Sequence, residues 1–315
     1  MTSAITRLAP SPTGALHLGN ARTFLVNYLL ARQNGWRILL RIEDLDGPRV
    51  KQGADGQLID DFRWLGLEWD QGPVYQSGRS AAYAGAIDRL LDARLAYPCI
   101  CTRKEVDLAA SAPHAEDGAA IYPGTCRGRF RTVRQAAIAA GRNPAIRFQA
   151  DARRLDFDDL FAGPQQYDPA GQLGDFVIAK SDGSAAYQLA VVVDDADAGV
   201  THIVRGDDLL DSTPRQILLY HALGLGDRIP IYYHLPLVVG TDGRRLAKRH
   251  GDTRLEFYRG HQVRAERVLA LLARWCGIAA GDEICMVELM ERFDLSRVPH
   301  GRIIFTPADD AWLRR

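Results

Sequence analysis

The first 42 residues alternate between strand and helix patterns, and this alternation restricts the fold more than any other feature of the chain. A short apolar strand is predicted near Ile5–Ala9, followed by a turn rich in proline and glycine. Apolar side chains recur at helical spacing over Leu18–Leu29, and Ile38–Ile42 is a nearly continuous apolar run of the kind buried in parallel sheets. The pattern predicts a βαβ unit.

Two later segments repeat the helical spacing, at Leu58–Leu65 and Tyr83–Leu95. The chain therefore predicts an α/β fold with a doubly wound parallel sheet, whose ligands bind at the carboxyl ends of the strands. Residues 99–182 break this pattern with loops rich in glycine, proline and arginine, and we interpret them as an inserted subdomain. The α/β domain is then split into two parts, residues 1–98 and 183–240.

The strand pattern returns after the insertion, and a helical region ends the chain. Strands are predicted at Tyr187–Val193, His202–Val204 and Ile231–Val239, with a helix through Ile217 and Tyr220 between the last two. Residues 241–315 are predicted as a basic loop, a helical region to Arg274 and a loose tail that contains Asp309 and Asp310.

Composition excludes several classes of protein. The 39 Lys and Arg residues balance the 39 Asp and Glu residues, which excludes a histone-like polycation but not a local basic groove. The longest apolar run, Leu189–Val193, is far shorter than the roughly 20 residues that cross a bilayer, and we expect a cytoplasmic protein. Cys276 and Cys285 are predicted to be isolated core residues.

The turn between the first strand and the first helix has the features of a phosphate site. Backbone N–H groups and the helix dipole favour an anion at a helix start. Pro10 shapes the turn, Gly14 and Gly19 allow close approach of the backbone, and His17, ahead of Asn20, can donate a hydrogen bond to a phosphoryl oxygen. The alternative is an ordinary βα turn with a structural histidine.

A basic loop flanked by glycines, residues 242–251, contains Arg245, Leu246, Lys248 and Arg249. The chain has 35 arginines and only four lysines, so a lysine between arginines indicates a need for one compact, mobile ammonium group. A pyrophosphate leaving group has that need. The alternative is a solvated basic loop.

These two segments resemble the HIGH and KMSKS signatures of class I aminoacyl-tRNA synthetases. Other segments resemble the glutamyl-tRNA synthetase branch of that family, and the match extends to about Tyr258. The matching segments are Arg7–Gly14, His17–Asn20, Arg41–Asp46, Tyr75–Ser77, Val204–Asp208 and Arg245–Arg249. Asn20 is usual in that branch, whereas both serines of the second signature are missing, which removes hydroxyl donors near the phosphates.

The resemblance implies a Rossmann-like class I synthetase fold and an ATP-dependent ligase with Mg²⁺ on the phosphates. His17 and Lys248 would be the catalytic residues. The implied ATP-binding residues are Pro10, Gly14, His17, Gly19, Asn20, Arg245, Leu246 and Lys248.

The resemblance also implies a pocket for L-glutamate, which carries two carboxylates and one ammonium group. Glu43 would meet the ammonium, and Arg7, Arg205 and Tyr187 would hold the side-chain carboxylate, with Ser11 completing the pocket. Taken singly, each charged residue has the alternative of an exposed position. The set, at the ends of predicted strands, favours a binding site.

Cys99, Cys101 and Cys126 offer three soft ligands of the type that zinc prefers. Ligand chemistry alone favours His114 as the fourth, whereas the resemblance points to Tyr122. A closed tetrahedral Zn²⁺ site of this kind would be structural. The alternative is three reduced cysteines packed as small apolar residues.

Only 67 residues follow Lys248, which leaves no room for the large helical anticodon-binding region of a glutamyl-tRNA synthetase. The chain therefore resembles the truncated paralogues of this family, the glutamyl-Q tRNA(Asp) synthetases, which place glutamate on the queuosine base of the tRNA(Asp) anticodon. The alternatives are a truncated synthetase that charges the tRNA 3′ end, a non-catalytic tRNA-binding paralogue, and a small-molecule nucleotidyltransferase.

Overall fold

The computed structural model describes residues 4–12, 14–47, 50–102, 104–106, 121–150, 154–246 and 251–315. The strands in these residues are β1 Ile5–Leu8, β2 Arg37–Ile42, β3 Gln71–Tyr75, β4 Ala96–Cys99, β5 Ala145–Phe148, β6 Leu155–Asp159, β7 Gly163–Tyr167, β8 Phe176–Ala179, β9 His202–Gly206, β10 Ile231–Leu235, β11 Val238–Val239 and β12 Ile303–Ile304. The main α-helices are α1 Leu18–Gln33, α2 Ala54–Trp64, α3 Ser80–Asp92, α4 Val133–Ala140, α5 Tyr187–Asp197, α6 Thr213–Ala222, α7 Leu255–Gly260, α8 Ala265–Arg274, α9 Met286–Arg292 and α10 Pro307–Leu313.

The predicted βαβ unit is confirmed, and it forms part of a parallel sheet. β2 pairs in parallel with β1 and β3, and β9 pairs in parallel with β10. Thr201, just before β9, joins the two sets, because its N–H donates to the Ile5 carbonyl at 2.8 Å while its hydroxyl accepts from the Ile5 N–H at 2.9 Å. β1 therefore lies between β2 and β9.

Both faces of β2 are buried, which explains its nearly continuous apolar run. Ile38, Leu40 and Ile42 pack into the cluster that includes α1 and α8. Leu39 belongs to a different cluster, which includes Ile203 of β9. Strand side chains alternate between faces, so a strand covered on both sides needs apolar residues at successive positions.

The segment predicted as an insertion contributes to two sheets. β4, β5 and β8 form an antiparallel sheet, and β6 and β7 form a hairpin. The hairpin does not stay apart, because Asp159 at the end of β6 pairs in parallel with Tyr232 of β10. This contact carries part of the segment to the edge of the sheet that contains β9.

The strand predicted at Tyr187–Val193 is wrong, because these residues begin the helix α5. Every residue from Leu189 to Ala196 is buried. A helix covered on all sides needs apolar residues all round, so its sequence has no helical period to distinguish it from a buried strand.

Three further predictions about the second half need correction or division. The run Ile231–Val239 is two strands, since Pro236 between them has no N–H for a ladder. The tail is not loose: it forms α9, β12 and α10, and β12 pairs in parallel with β11. Cys276 is buried as predicted, whereas Cys285 is exposed, immediately before α9. No helix among the described residues is long and apolar enough to cross a membrane.

Candidate active site

A cavity of about 550 Å³ opens at the carboxyl ends of β1, β2 and β9. It gathers predicted site residues from widely separated parts of the sequence. Those that line it are Arg7, Pro10, Ser11, Gly14, His17, Gly19, Asn20, Glu43, Tyr187, Arg205 and Arg245. Leu246 is buried and does not line the cavity, and Lys248 lies outside the described residues.

His17 caps the start of α1, and its ring has a defined tautomer. The N–H of Asn20 donates to Nδ1 of His17 at 3.3 Å, so the neutral ring carries its proton on Nε2. Burial, assisted by the positive charge of Arg245, lowers the pKa of His17 to about 4. At neutral pH this residue is therefore an uncharged hydrogen-bond donor.

Gly19 is required by the position of the His17 ring. A Cβ atom on Gly19 would lie 3.1 Å from Cε1 of His17 and 3.4 Å from Cβ of Val238, whereas a Cβ on Gly14 would meet nothing within 4 Å. Gly19 was predicted to allow close approach of its backbone to a ligand, and the structure shows that its backbone lies close to the His17 ring of the same turn.

Arg245, at the start of the basic loop, is anchored across the cavity. Its Nη1 donates to Oδ2 of Asp208 at 2.8 Å, and its backbone pairs with Val239. Residues 247–250 lie outside the described residues. Asp208 follows β9 and was not among the predicted site residues, although it belongs to the segment Val204–Asp208 that carries the resemblance.

Arg7 and Arg205 face the cavity from β1 and β9, and each side chain is about 4–5% exposed. Nε of Arg7 and Nη1 of Arg205 are buried and have no hydrogen-bond partner among the described residues. Nε of Arg7 lies 3.6 Å from the Asp195 carboxylate, whereas no such partner is found for Nη1 of Arg205 among the described residues. Because buried donors are normally paired, Nη1 of Arg205 points to a ligand with acceptor oxygens. Tyr187 lies nearby at the first turn of α5, and burial raises the pKa of its hydroxyl, which stays protonated at neutral pH.

Sequence reasoning missed a buried ion network beneath Glu43. Arg41 of β2 donates to Asp195 of α5 at 2.5 Å and to Oε1 of Glu43 at 2.9 Å, and Nε of Arg7 lies 3.6 Å from the same Asp195 oxygen. Arg41 and Glu43 are two residues apart and therefore share a side of the extended chain. An arginine within an apolar strand was the available signal.

The charged groups that line the cavity leave an excess of one positive charge among the described residues. Three are arginines and two are carboxylates: Arg7, Arg205 and Arg245, with Glu43 and Asp208. Arg41 and Asp195 behind the cavity cancel each other. L-Glutamate carries a net charge of about −1 at neutral pH, so its charge complements this lining.

The three cysteines predicted as metal ligands converge in a second site, beside β4. The sulfurs of Cys99, Cys101 and Cys126 all lie within 4.8 Å of one another, and the Cys101–Cys126 distance is 3.6 Å. The Tyr122 hydroxyl lies 3.4 Å from the sulfurs of Cys99 and Cys101. A tetrahedral zinc ion with Zn–S bonds of about 2.3 Å separates its sulfurs by roughly 3.8 Å, so the set fits Zn²⁺.

Arg147 of β5 supports this cluster from outside. Its Nε donates to the sulfur of Cys99 at 3.3 Å, and its guanidinium carbon lies 3.9 Å from the centre of the Tyr122 ring. Sequence reasoning did not single out Arg147. His114, the other candidate ligand, lies outside the described residues.

Residues 3–308 match the family described as tRNA synthetases class I (E and Q), catalytic domain. The chain belongs to this family. The predicted family, fold and enzyme class are thereby confirmed: this class I synthetase has the α/β fold with a parallel sheet and is a ligase of the aminoacyl-tRNA synthetase type.

Two curated relatives of this class I synthetase are named Glutamyl-Q tRNA(Asp) synthetase. The one from Symbiobacterium thermophilum is 49% identical over 304 residues, which cover 93% of each chain. The one from Rhodopirellula baltica is 45% identical over 318 residues, which cover 95% of each chain. A solved structure of a glutamate tRNA ligase from Elizabethkingia meningosepticum, in complex with its amino acid, matches with a TM-score of 0.82 at 28% identity, over 99% of this chain and 68% of that one.

Proposed function

We propose that this synthetase activates L-glutamate with ATP and transfers the glutamyl group to the queuosine base of the tRNA(Asp) anticodon. The choice of glutamate rests on the buried guanidinium groups of Arg7 and Arg205 at the cavity, and above all on Nη1 of Arg205, which has no partner among the described residues. The choice of acceptor rests on the names of two relatives, which this chain matches over nearly their full length.

In this proposal the cavity holds both ends of glutamate. Arg7 and Arg205 bind the side-chain carboxylate, Tyr187 donates its phenol proton to it, and Glu43 accepts from the α-ammonium group, with Ser11 alongside. Glutamine has the same shape but lacks the side-chain charge. It would leave Arg205, for which no ion pair is found among the described residues, without a carboxylate partner, so the lining favours glutamate.

The first step forms glutamyl-adenylate. An oxygen of the α-carboxylate attacks the α-phosphorus of ATP, the bond to the bridging oxygen breaks, and pyrophosphate leaves with that electron pair. His17 would donate from Nε2 to a phosphoryl oxygen, and Lys248 with Arg245 would neutralise the leaving charge. Mg²⁺, when bound with ATP, would supply further positive charge. The turn at Pro10, Gly14, Gly19 and Asn20, and the buried Leu246, shape the nucleotide site. Positioning and electrostatics supply the catalysis.

In the second step, a hydroxyl group of queuosine attacks the carbonyl carbon of the mixed anhydride. AMP leaves with the electrons of the carbon–oxygen bond, and the hydroxyl proton is released. This exchange needs no nucleophile from the protein.

We further propose that the cysteine cluster holds one structural Zn²⁺ through Cys99, Cys101, Cys126 and Tyr122. Four protein ligands close a tetrahedral site and leave no open position for chemistry. We also propose that residues 99–182 act as an inserted subdomain between the two parts of the catalytic domain, 1–98 and 183–240, and that 241–315 contains the lysine loop and a helical region.

The test is glutamate transfer to tRNA(Asp) with and without queuosine, together with glutamate-dependent ATP–pyrophosphate exchange. Lys248→Ala should lose exchange by about 100-fold or more, as expected when a transition-state charge partner is removed, while Lys104→Ala, the same change at an exposed position, should retain it. Equal transfer to tRNA that lacks queuosine would replace this proposal with charging of the 3′ end. Absence of exchange in the unmodified protein would favour a non-catalytic tRNA-binding role.

A further inference from the structure

The guanidinium group of Arg205 is held by buried partners on its inner side. Its Nε donates to Nε2 of His234 at 2.9 Å, and its Nη2 donates to the Thr213 hydroxyl at 2.8 Å. His234 is 1% exposed and Thr213 fully buried. Two anchored nitrogens fix the plane of the group, and this leaves Nη1 as the nitrogen without a partner among the described residues.

His234 accepts from Arg205 only if its Nε2 carries no proton. Asp159 secures this state, because its Oδ2 lies 2.5 Å from Nδ1 of His234 and holds the proton there. The other oxygen, Oδ1, accepts from the N–H groups of Phe161, Ala162 and His234 at 2.7 to 3.1 Å. The carboxylate therefore has one fixed orientation.

Burial and charge keep both members of this pair in the required protonation state. Burial, followed by the positive charge of Arg205, lowers the pKa of His234 despite the hydrogen bond to Asp159. Burial opposes ionisation of Asp159, but the hydrogen bonds from His234 and Ala162 outweigh it and hold the pKa of Asp159 below its usual value. A neutral imidazole thus lies between a carboxylate and a guanidinium at neutral pH.

The two residues reach the pocket from different parts of the chain. His234 lies on β10, next to Arg205 of β9, with which it is in register. Asp159 ends β6, the hairpin strand that pairs with β10. Neither residue lines the cavity, so any effect on a ligand passes through Arg205.

We propose that Asp159 and His234 are positioning residues that orient Arg205 toward the side-chain carboxylate of the amino acid, and so set the preference for glutamate over glutamine. This inference rests on the proposed function, because it assigns that carboxylate to Arg205. Asp159 fixes the histidine tautomer, the histidine fixes the guanidinium, and the guanidinium presents Nη1 to the substrate.

Two substitutions of His234 distinguish its role as hydrogen-bond acceptor for Arg205 from a role in packing alone. In His234→Gln, the side-chain oxygen can still accept from Arg205, whereas in His234→Asn the shorter amide reaches Asp159 but not Arg205. Loss of a hydrogen bond to a charged group corresponds to about 10- to 100-fold in binding. We expect His234→Asn to raise the KM for glutamate in pyrophosphate exchange by that factor, while its KM for ATP stays within about twofold of the value for the unmodified protein. In His234→Gln, the KM values for glutamate and for ATP should both stay within about threefold.

Asp159→Asn tests the tautomer without a change of size. Its oxygen keeps the three backbone bonds, and its amide N–H group then faces Nδ1 of His234. The histidine proton moves to Nε2, where it meets the N–H of Arg205. We expect the same rise in the KM for glutamate as in His234→Asn, and a lower ratio of glutamate to glutamine activation. His202→Asn, the same substitution as His234→Asn on the neighbouring strand and away from the cavity, is the matched control.

The outcomes distinguish this inference from the function on which it rests. An unmodified protein without glutamate-dependent exchange overturns both. Normal exchange with unchanged glutamate KM in His234→Asn and Asp159→Asn overturns the inference alone, as does a parallel rise in the KM values for glutamate and ATP, which is the result expected of a purely structural role. If His234→Asn does not fold, the isosteric Asp159→Asn decides the same question.

Discussion

At the scale of single residues, the nucleotide end of the cavity depends on how one imidazole ring is held. The Asn20 N–H fixes the proton of His17 on Nε2, and the missing side chain of Gly19 leaves space for the ring. An uncharged donor suits a phosphoryl oxygen whose negative charge grows during reaction, because its orientation is set before the substrate arrives. Two of our predictions follow from this arrangement.

Gly19→Ala should impair activation of glutamate with little change in stability. The added methyl group would lie 3.1 Å from the His17 ring, so the ring that accepts from the Asn20 N–H must shift by a few tenths of an ångström. We expect glutamate-dependent pyrophosphate exchange to fall by about 10-fold or more, in line with a misplaced catalytic donor. Gly85→Ala is the control, since it adds the same methyl group to an exposed helical position where it meets nothing within 4 Å. Equal exchange rates in the two variants would contradict the assigned role of Gly19.

His17 should also make the fold less stable in mild acid. Its pKa is about 4 in the folded protein and about 6.5 in an unfolded chain, so between these values the unfolded state binds more protons. Stability from this residue is therefore present above pH 6.5 and is lost as the pH falls toward 4. We expect the Tm of the unmodified protein to drop by a few degrees more than that of His17→Gln between pH 7 and pH 5. Parallel melting curves for the two proteins over this range would refute the prediction.

Sequence reasoning found the charged residues that face the cavity, except Asp208, and missed those that hold them. Arg7, Glu43 and Arg205 belong to contiguous segments with a recognisable pattern. Asp159 and His234 were not predicted, because their partners lie far away in the sequence and no local pattern marks a buried pair. Only the folded sheet, which places β6 beside β10, brings them to Arg205.

At the scale of secondary structure elements, two buried apolar runs had opposite outcomes: β2 was predicted as a strand correctly, and α5 was not predicted as a helix. α1 and β2 were expected close to their observed bounds. α5 was taken for a strand because its valines and its continuous apolar run suit a buried strand as well as a buried helix. The bounds of α10 depend on a capping pattern that the sequence analysis did not use.

Thr306→Ala should destabilise the C-terminal region by removing a helix cap. The Thr306 hydroxyl accepts from the Asp309 N–H at 3.3 Å and donates to the Asp309 carboxylate at 2.8 Å, while that carboxylate accepts from the Thr306 N–H. Loss of such a cap costs about 1 kcal/mol of unfolding free energy. Urea denaturation should show this loss in Thr306→Ala and recovery in Thr306→Ser, which retains the hydroxyl. A cost as large in the serine variant would mean that the methyl group, and not the cap, stabilises α10.

At the scale of the whole molecule, contacts between distant segments join the sheet, the hairpin and the C-terminal region. Arg22 of α1, fully buried, donates to the Pro236 carbonyl at 2.8 Å and to the Trp275 carbonyl at 3.3 Å. β12 pairs with β11, the strand that leads into the basic loop. The C-terminal region therefore supports the cavity from behind. Among the described residues that follow Arg245 in the chain, none lines the cavity.

Removal of one cysteine ligand should release the proposed zinc ion and loosen the segment around it. That segment has a small core of its own, built around Tyr97, Cys99, Tyr122 and Cys126, so a bound metal would make up for missing apolar contacts. We expect Cys101→Ser to lose most of its zinc in elemental analysis and to melt several degrees lower, whereas Cys285→Ser, which changes an exposed thiol, should retain one zinc ion per chain. A full equivalent of zinc in Cys101→Ser would exclude Cys101 as a ligand, and an unmodified protein that holds no zinc would favour the alternative of three reduced cysteines.

The central position of β1 has a consequence for how the protein is made. β1 is synthesised long before its neighbour β9, which ends at Gly206, and the histidine that holds Arg205 follows at residue 234. A nascent chain that has reached residue 200 already carries Arg7 and Glu43, with their charges, and lacks Arg205 and His234. The edge of β1 that faces β9 therefore stays unpaired until residue 206 has been made, and the pocket proposed for glutamate lacks Arg205 until then.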